Sequence, residues 1–253
     1  MHIVAIHNLP EKKETLAASL AAAMGATVYE ALSILRSPGT GPLVVGVSAT
    51  LGPAVELVTK LGEGGFITAL LKEDAIENEA AQIVVRKFRL DGNALIVESR
   101  KEETLAVDYS SIDLIICGTS IAQTTAEEIV KGKKFDPGMA ILTGGLKMTK
   151  TTEKILESTT QIREGFFLLY AGDRQTLVFR EGRLLYDSLG SSLQPTRQGN
   201  FSYLLAELRR RNPDALYDDR LLSRAAQIQL LGRVLSPEEH MDIATSLLAK
   251  VLR

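Results

Sequence analysis

The residue types best suited to catalysis are scarce in this chain, and their spacing keeps them apart. His2, His7 and His240 are the only histidines. His2 and His7 are five apart, which puts them on opposite faces of a strand and argues against a shared metal. No Ser/His/Asp or Cys/His set can be assembled from neighbouring sequence. Cys117, the single cysteine, sits in the apolar run from Ile112 and reads as a packed small hydrophobe. One cysteine forms no disulfide within the chain, which fits a reducing compartment. Asp218-Asp219 reads as a helix start, where carboxylates complement the dipole, not as an acid–base pair. Arg209-Arg210-Arg211 has the matching signature of a helix end. Thr143-Gly144-Gly145-Leu146-Lys147 lacks the spacing and the following Ser/Thr of a phosphate loop. No metal, cofactor or catalytic residue is expected.

A binding function has a clearer candidate. Between 131 and 154 lie six lysines, Lys131, Lys133, Lys134, Lys147, Lys150 and Lys154, against Asp136 and Glu153. That local net of +4 stands in a chain whose formal net charge is −2. Met139, Ile141, Leu142, Leu146 and Met148 are interleaved with the lysines, and loops rarely carry that much apolar surface unburied. The segment is expected to form a β-like arm that binds an acidic protein surface or a second copy of the chain. Phe135 is its only aromatic residue, which argues against stacking on nucleic acid, and the overall charge argues the same way.

The elements that would position these residues fall into unlike parts. The 253 residues suffice for one large domain or two small ones, and 45% hydrophobic with 24% charged residues supplies ordinary cores. The first 72 residues spell a β-α-α-β-α-β unit. Ile3 to Ile6 is a strand ended by Asn8-Leu9-Pro10. Leu16, Leu20 and Ala23 recur at helical spacing up to Gly25. Thr27 caps a second helix with Val28, Ala31, Leu32 and Leu35 on its inner face. Leu43 to Val47 is a strand, Ala54, Leu57, Val58 and Leu61 mark a third helix, and Phe66 to Leu71 returns as a strand.

This order, with the run Pro42-Leu-Val-Val-Gly-Val-Ser48 leading into a short helix, resembles the fold shared by the Clp protease adaptor family (ClpS) and the C-terminal domain of the ribosomal stalk protein. In the adaptors an Asn-Asp-Asp turn grips a peptide's amino group. The matching turn here is Asn8-Leu9-Pro10, so the resemblance makes Asn8 a candidate binding residue. It implies a fold whose members bind proteins.

Residues 73–82 are acidic and alanine-rich and read as a linker. A period of two follows: 85–90, a hairpin turn at Asp91-Gly92-Asn93, 94–99, Thr104 to Tyr109 and Ile112 to Ile116, then Phe166 to Tyr170, Thr176 to Arg180 and Leu184 to Tyr186. Asn200 is expected to cap a helix carrying Phe201, Leu204, Leu205 and Leu208. These strands closed by one helix resemble a pleckstrin-homology-like barrel over 83–212, with an insertion at 126–162. From Pro213 the tail reads as helical. One helix would start at Asp218 or Asp219, and another at the capping box Ser236-Pro237-Glu238-Glu239.

The fold class expected is therefore α+β: a small domain over 1–72, a linker, a barrel with a capping helix, and a helical extension over 213–253. The N-terminus lacks a signal-peptide pattern, and no apolar run approaches the ~20 residues that span a bilayer, so a cytoplasmic protein off the membrane is expected. The function expected is a non-catalytic protein-binding or adaptor role through two recognition modules. One alternative is an enzyme with a small-molecule site at the domain interface, marked by a pocket lined by Tyr170, Tyr186 and Asp187. A second is nucleic-acid binding through the lysines.

Overall fold

A computed structural model describes residues 1–36, 39–100, 103–135, 149–172 and 176–253, with side chains described outside 122–162. It resolves into two compact units, one of Met1–Ser120 with Glu164–Arg253, the other of Ile121–Arg163. The described residues of the second unit belong to the far parts of two long strands, β7 (Ile112–Phe135) and β8 (Thr149–Ala171).

The first unit opens with the expected order of elements: β1 (His2–His7), α1 (Ala17–Met24), α2 (Val28–Leu35), β2 (Leu43–Ser48), α3 (Leu51–Glu63) and β3 (Ile67–Lys72). Local signals explain the boundaries. Gly25 ends α1 in the left-handed region, at φ 65°, where a side chain would be strained. Thr27 and Glu30 form a reciprocal capping box at the start of α2. The strands make a three-stranded antiparallel sheet in the order β2-β1-β3. Val28 departs from expectation: it is half exposed, and the inner face of α2 is Ala31 and Leu35.

The remaining strands are β4 (Ile83–Leu90), β5 (Ala94–Ser99), β6 (Thr104–Asp108), β9 (Leu177–Arg180) and β10 (Leu216–Leu221), with helices α4 (Arg197–Arg211), α5 (Arg224–Leu231) and α6 (Met241–Leu252). The architecture is mixed helix and sheet, as expected. Its strands form one open seven-stranded sheet in the order β10-β7-β8-β9-β4-β5-β6, and the described residues contain no closed barrel. Two neighbouring pairs in that order, β10 with β7 and β4 with β9, are parallel.

Several boundaries move for identifiable reasons. Leu216–Leu221 is a strand and not the start of a helix. Asp218 is buried within it and receives hydrogen bonds from the Arg220 backbone at 3.1 Å and from Arg220 Nε at 2.7 Å. Thr196, not Asn200, caps α4; Asn200 is buried and braces Gln194 through both ends of its amide. The Ser236 segment forms a turn, and α6 begins only at Met241. Leu184–Tyr186 contributes a single bridge, Leu185 to Lys87.

Alternation along the strands shows how the layers stack. Val4 and Ile6 pack under α1, α2 and α3, while Ile3 and Ala5 face the other way. That second face joins one core with Leu114, Ile116, Phe166, Leu168 and Tyr170 of the larger sheet and with Leu230, Leu231, Leu247 and Leu248 of α5 and α6. The opposite face of the larger sheet, including Ile115, Cys117, Phe167 and Leu169, packs on Phe201, Leu204 and Leu208 of α4. Residues 73–82, expected as a linker, run inside the first unit. There Glu77 accepts a hydrogen bond from Thr176 at 2.6 Å and its backbone N–H donates to Ser246 at 2.9 Å.

α4 thus covers a sheet face. Leu204 is fully buried in that contact. Leu204→Ala is expected to cost about 2–5 kcal/mol in urea unfolding, the range for a buried leucine. A loss under ~0.5 kcal/mol, as at surface positions, would mean that α4 does not hold this core.

Candidate functional site

The residues singled out by their chemistry do not converge. Lys131, Lys133 and Lys134 lie in β7 and Lys150 in β8, on the described backbone of the second unit. Lys147 and the Thr143–Lys147 segment fall outside the described residues. Asn8 is exposed just past β1 and adopts φ 52°, a left-handed conformation that asparagine tolerates better than most residues. Leu9 beside it is buried and donates its N–H to Thr40 at 3.0 Å.

The other reactive groups are held in ways that suppress reactivity. Burial pushes the Cys117 thiol up to about 12, with the Tyr217 hydroxyl as its hydrogen-bonding neighbour. Burial likewise raises Tyr170, Tyr186 and Tyr217 well above the usual phenol range. Tyr170 and Tyr186 belong to different cores, and Asp187 is exposed. His240 Nδ1 faces the backbone of Ser236 within its own turn.

A cleft of about 340 Å³ does form over the larger sheet. Its floor is two cross-strand pairs, Phe166 with Arg180 and Leu168 with Val178, and Glu77, Glu79 and Asp242 stand on its walls. Glu79 takes Arg183 at 2.6 Å, and Arg180 lies 3.7 Å from Glu79 and 3.8 Å from Glu164. The lining nevertheless stays acidic, with Glu77, Glu79, Glu238, Glu239 and Asp242 against Arg180.

A second concavity has a different character. It encloses about 320 Å³ between α2, β2 and the turn after α5, and Met24, Ile34, Ile228, Leu231 and Val234 make much of its lining. Val44, Val45, Gly46 and Val47, four consecutive residues of β2, all border it. Val44 packs with Val47 on one face of the sheet and Val45 packs on the other. A groove bordered by both faces at once runs along the strand's edge. β2 is the terminal strand of its sheet, so this edge has no strand partner. The opposite edge strand, β3, is packed by α6. α5 packs against β2 as well, so the opening is confined to the part of the β2 edge that borders the groove.

The groove's details come from local sequence. Val45 is the extra residue of a bulge, since Val4 pairs with Gly46 and Ala5 with Val44. Gly232 closes one end. Its φ is 72°, and a Cβ there would lie 2.7 Å from the Val44 carbonyl oxygen, so only glycine lets the turn approach so closely. Bulge and turn leave Gly46 to Ser48 as the open stretch. At the rim Arg233 lies 3.9 Å from Glu30, and hydrogen bonds from Thr27 hold the Glu30 carboxyl below its ordinary range. Val234 is 73% exposed and Ile228 49%.

The sequence pattern identifies β2, α2 and α5 but not their common groove. The order β2-β1-β3 and the fold-back of residues 228–234 are long-range facts with no local signature. Searches against family models, curated proteins and solved structures found no match to this chain.

Proposed function

We propose that this chain is a protein-recognition module that takes an extended apolar segment of a partner along the edge of β2. The observation that carries this reading is the open edge bordering an apolar groove. Strand addition obtains affinity from main-chain hydrogen bonds and selectivity from alternate side chains entering pockets. Gly46 to Ser48 would supply the backbone groups, and Ile34, Ile228 and Val234 the apolar contacts. The resemblance of the first 72 residues to a protein-binding fold supports the same class of function by analogy only. No helix among the described residues is long and apolar enough to cross a membrane.

The test begins with a displayed library of random extended peptides selected on the full chain. Enriched peptides are expected to alternate apolar and polar positions. Their addition should slow hydrogen exchange at those amides of the Gly46–Ser48 stretch that alternate away from β1 toward the open edge. Ile228→Glu, a change at a half-exposed site, should weaken binding at least about tenfold by putting an unpaired charge against apolar surface. Selected peptides that bind Ile228→Glu as well as the parent, or that leave those amides unprotected, would overturn strand addition here. So would a selection that enriches nothing.

A further inference from the structure

Three arginines far apart in sequence, Arg86, Arg100 and Arg183, line one cleft of about 380 Å³ together with Val84 and Val85. Among the described residues no carboxylate lines it. Arg183 is ion-paired with Glu79 and Arg100 also borders the adjoining cleft that Glu79 and Glu103 line, so within this lining the excess positive charge rests chiefly on Arg86 and Arg100.

The backbone builds this cluster. Val85 pairs with Ser99 and Lys87 with Glu98, so Arg86 is the extra residue of a bulge in β4. Bulges leave one residue unpaired and re-aim its side chain. The Arg100 N–H donates to the Val84 carbonyl at 3.3 Å, which pins the end of β5 beside the bulge. The Leu185 N–H donates to the Arg86 carbonyl at 2.9 Å, and Leu185 bridges Lys87, which brings in the turn that carries Arg183. Glu79 holds the Arg183 guanidinium at 2.6 Å from outside the lining. Lys87, the neighbouring cation, is matched by Glu98 at 2.7 Å and adds little to the cleft.

Guanidinium groups present planar forks of donors that match the oxygens of phosphate, often in pairs. We propose that this cleft binds a phosphate group carried on a small molecule, with Arg86 and Arg100 as the principal donors and Arg183 held in place by Glu79. The site is separate from the β2 groove and does not depend on it.

Calorimetric titration of the full chain at low ionic strength tests this, with inorganic phosphate, pyrophosphate and AMP as probes. Saturable binding of pyrophosphate or AMP is expected, tighter than that of inorganic phosphate. Arg86→Gln and Arg100→Gln should each weaken it about tenfold or more, the loss of a charge-assisted contact. Arg86→Lys should recover part of the loss, because it restores charge but not the fork. Both side chains are exposed, so the urea midpoint should stay unchanged and separate lost binding from lost folding. If neither pyrophosphate nor AMP saturates, the proposal fails. It also fails if Arg86→Gln and Arg100→Gln bind as the parent does, since the anion then sits elsewhere.

Discussion

Iodoacetamide should alkylate Cys117 in the native chain at least about 10³-fold more slowly at pH ~8 than in urea. The thiolate is the reacting species. With its titration pushed up to about 12, only about one thiol in 10⁴ is ionised at that pH, against roughly a quarter of free thiols. Cys117 is also 2% exposed, which blocks approach of the reagent. Mass spectrometry of timed samples gives both rates, and native and unfolded rates within tenfold of each other would refute the burial argument. The same shift makes stability depend on pH. The unfolded thiol loses its proton near pH 8.5 while the folded one keeps it to about 12. The contribution is thus fully present below about pH 8.5. It declines by on the order of 1.4 kcal/mol per pH unit as pH rises toward the folded value. Above about pH 10 the buried tyrosines add to the loss in the same direction, because their folded titrations are also raised. Urea unfolding at several alkaline pH values, with and without Cys117→Ala, separates the thiol from the tyrosines.

Asn212→Asp should cost at least about 5 kcal/mol near neutral pH, more than Asn212→Ala. Asn212 is buried after α4, and its Nδ2 donates to the carbonyls of Tyr109 at 2.6 Å and Ile112 at 2.7 Å. Both carbonyls belong to the tight turn that joins β6 to β7. Alanine leaves two buried acceptors without donors, at about 1–3 kcal/mol each. Aspartate does so too, and aims a negative charge at them. An unpaired buried charge costs about 3–5 kcal/mol unless it takes up a proton. Denaturant curves should therefore rank the parent above Asn212→Ala and Asn212→Asp lowest near neutral pH, with the aspartate variant partly recovering in mild acid. If Asn212→Asp is as stable as the parent, the turn is not held by this amide.

The two halves of the chain differ in how legible they are. β1 to β3 and the helices between them follow from local periodicity and from stops such as Gly25 and the Thr27 cap. Beyond residue 82 the strands could be located, but not their order. β9 pairs in parallel with β4 across almost a hundred residues, and β10 pairs with β7 at a similar separation. Hydrophobic alternation carries no information about such partners, and an open sheet and a barrel share it. Asp218 shows the same limit. Two adjacent aspartates signal a helix start until an arginine two positions on satisfies one of them inside a strand. The lysine segment stood out because its charge is contiguous. Arg86, Arg100 and Arg183 did not, because only the bulge and the Leu185 contact bring them together.

The core beneath the first sheet has a consequence for biosynthesis. Ile3, Ala5, Ala69 and Leu71 share that core with Leu247 and Leu248. Ribosomes add about 5–20 residues per second, so on the order of ten to thirty seconds separate the synthesis of Leu71 from that of Leu248. Throughout that interval one face of the three-stranded sheet lacks its covering helix α6. The nascent chain presents apolar surface and two strand edges to its surroundings, and β3 gains its cover only when α6 arrives. Holding chaperones would find their substrate in this window, and chains released before residue 241 would aggregate through the same face.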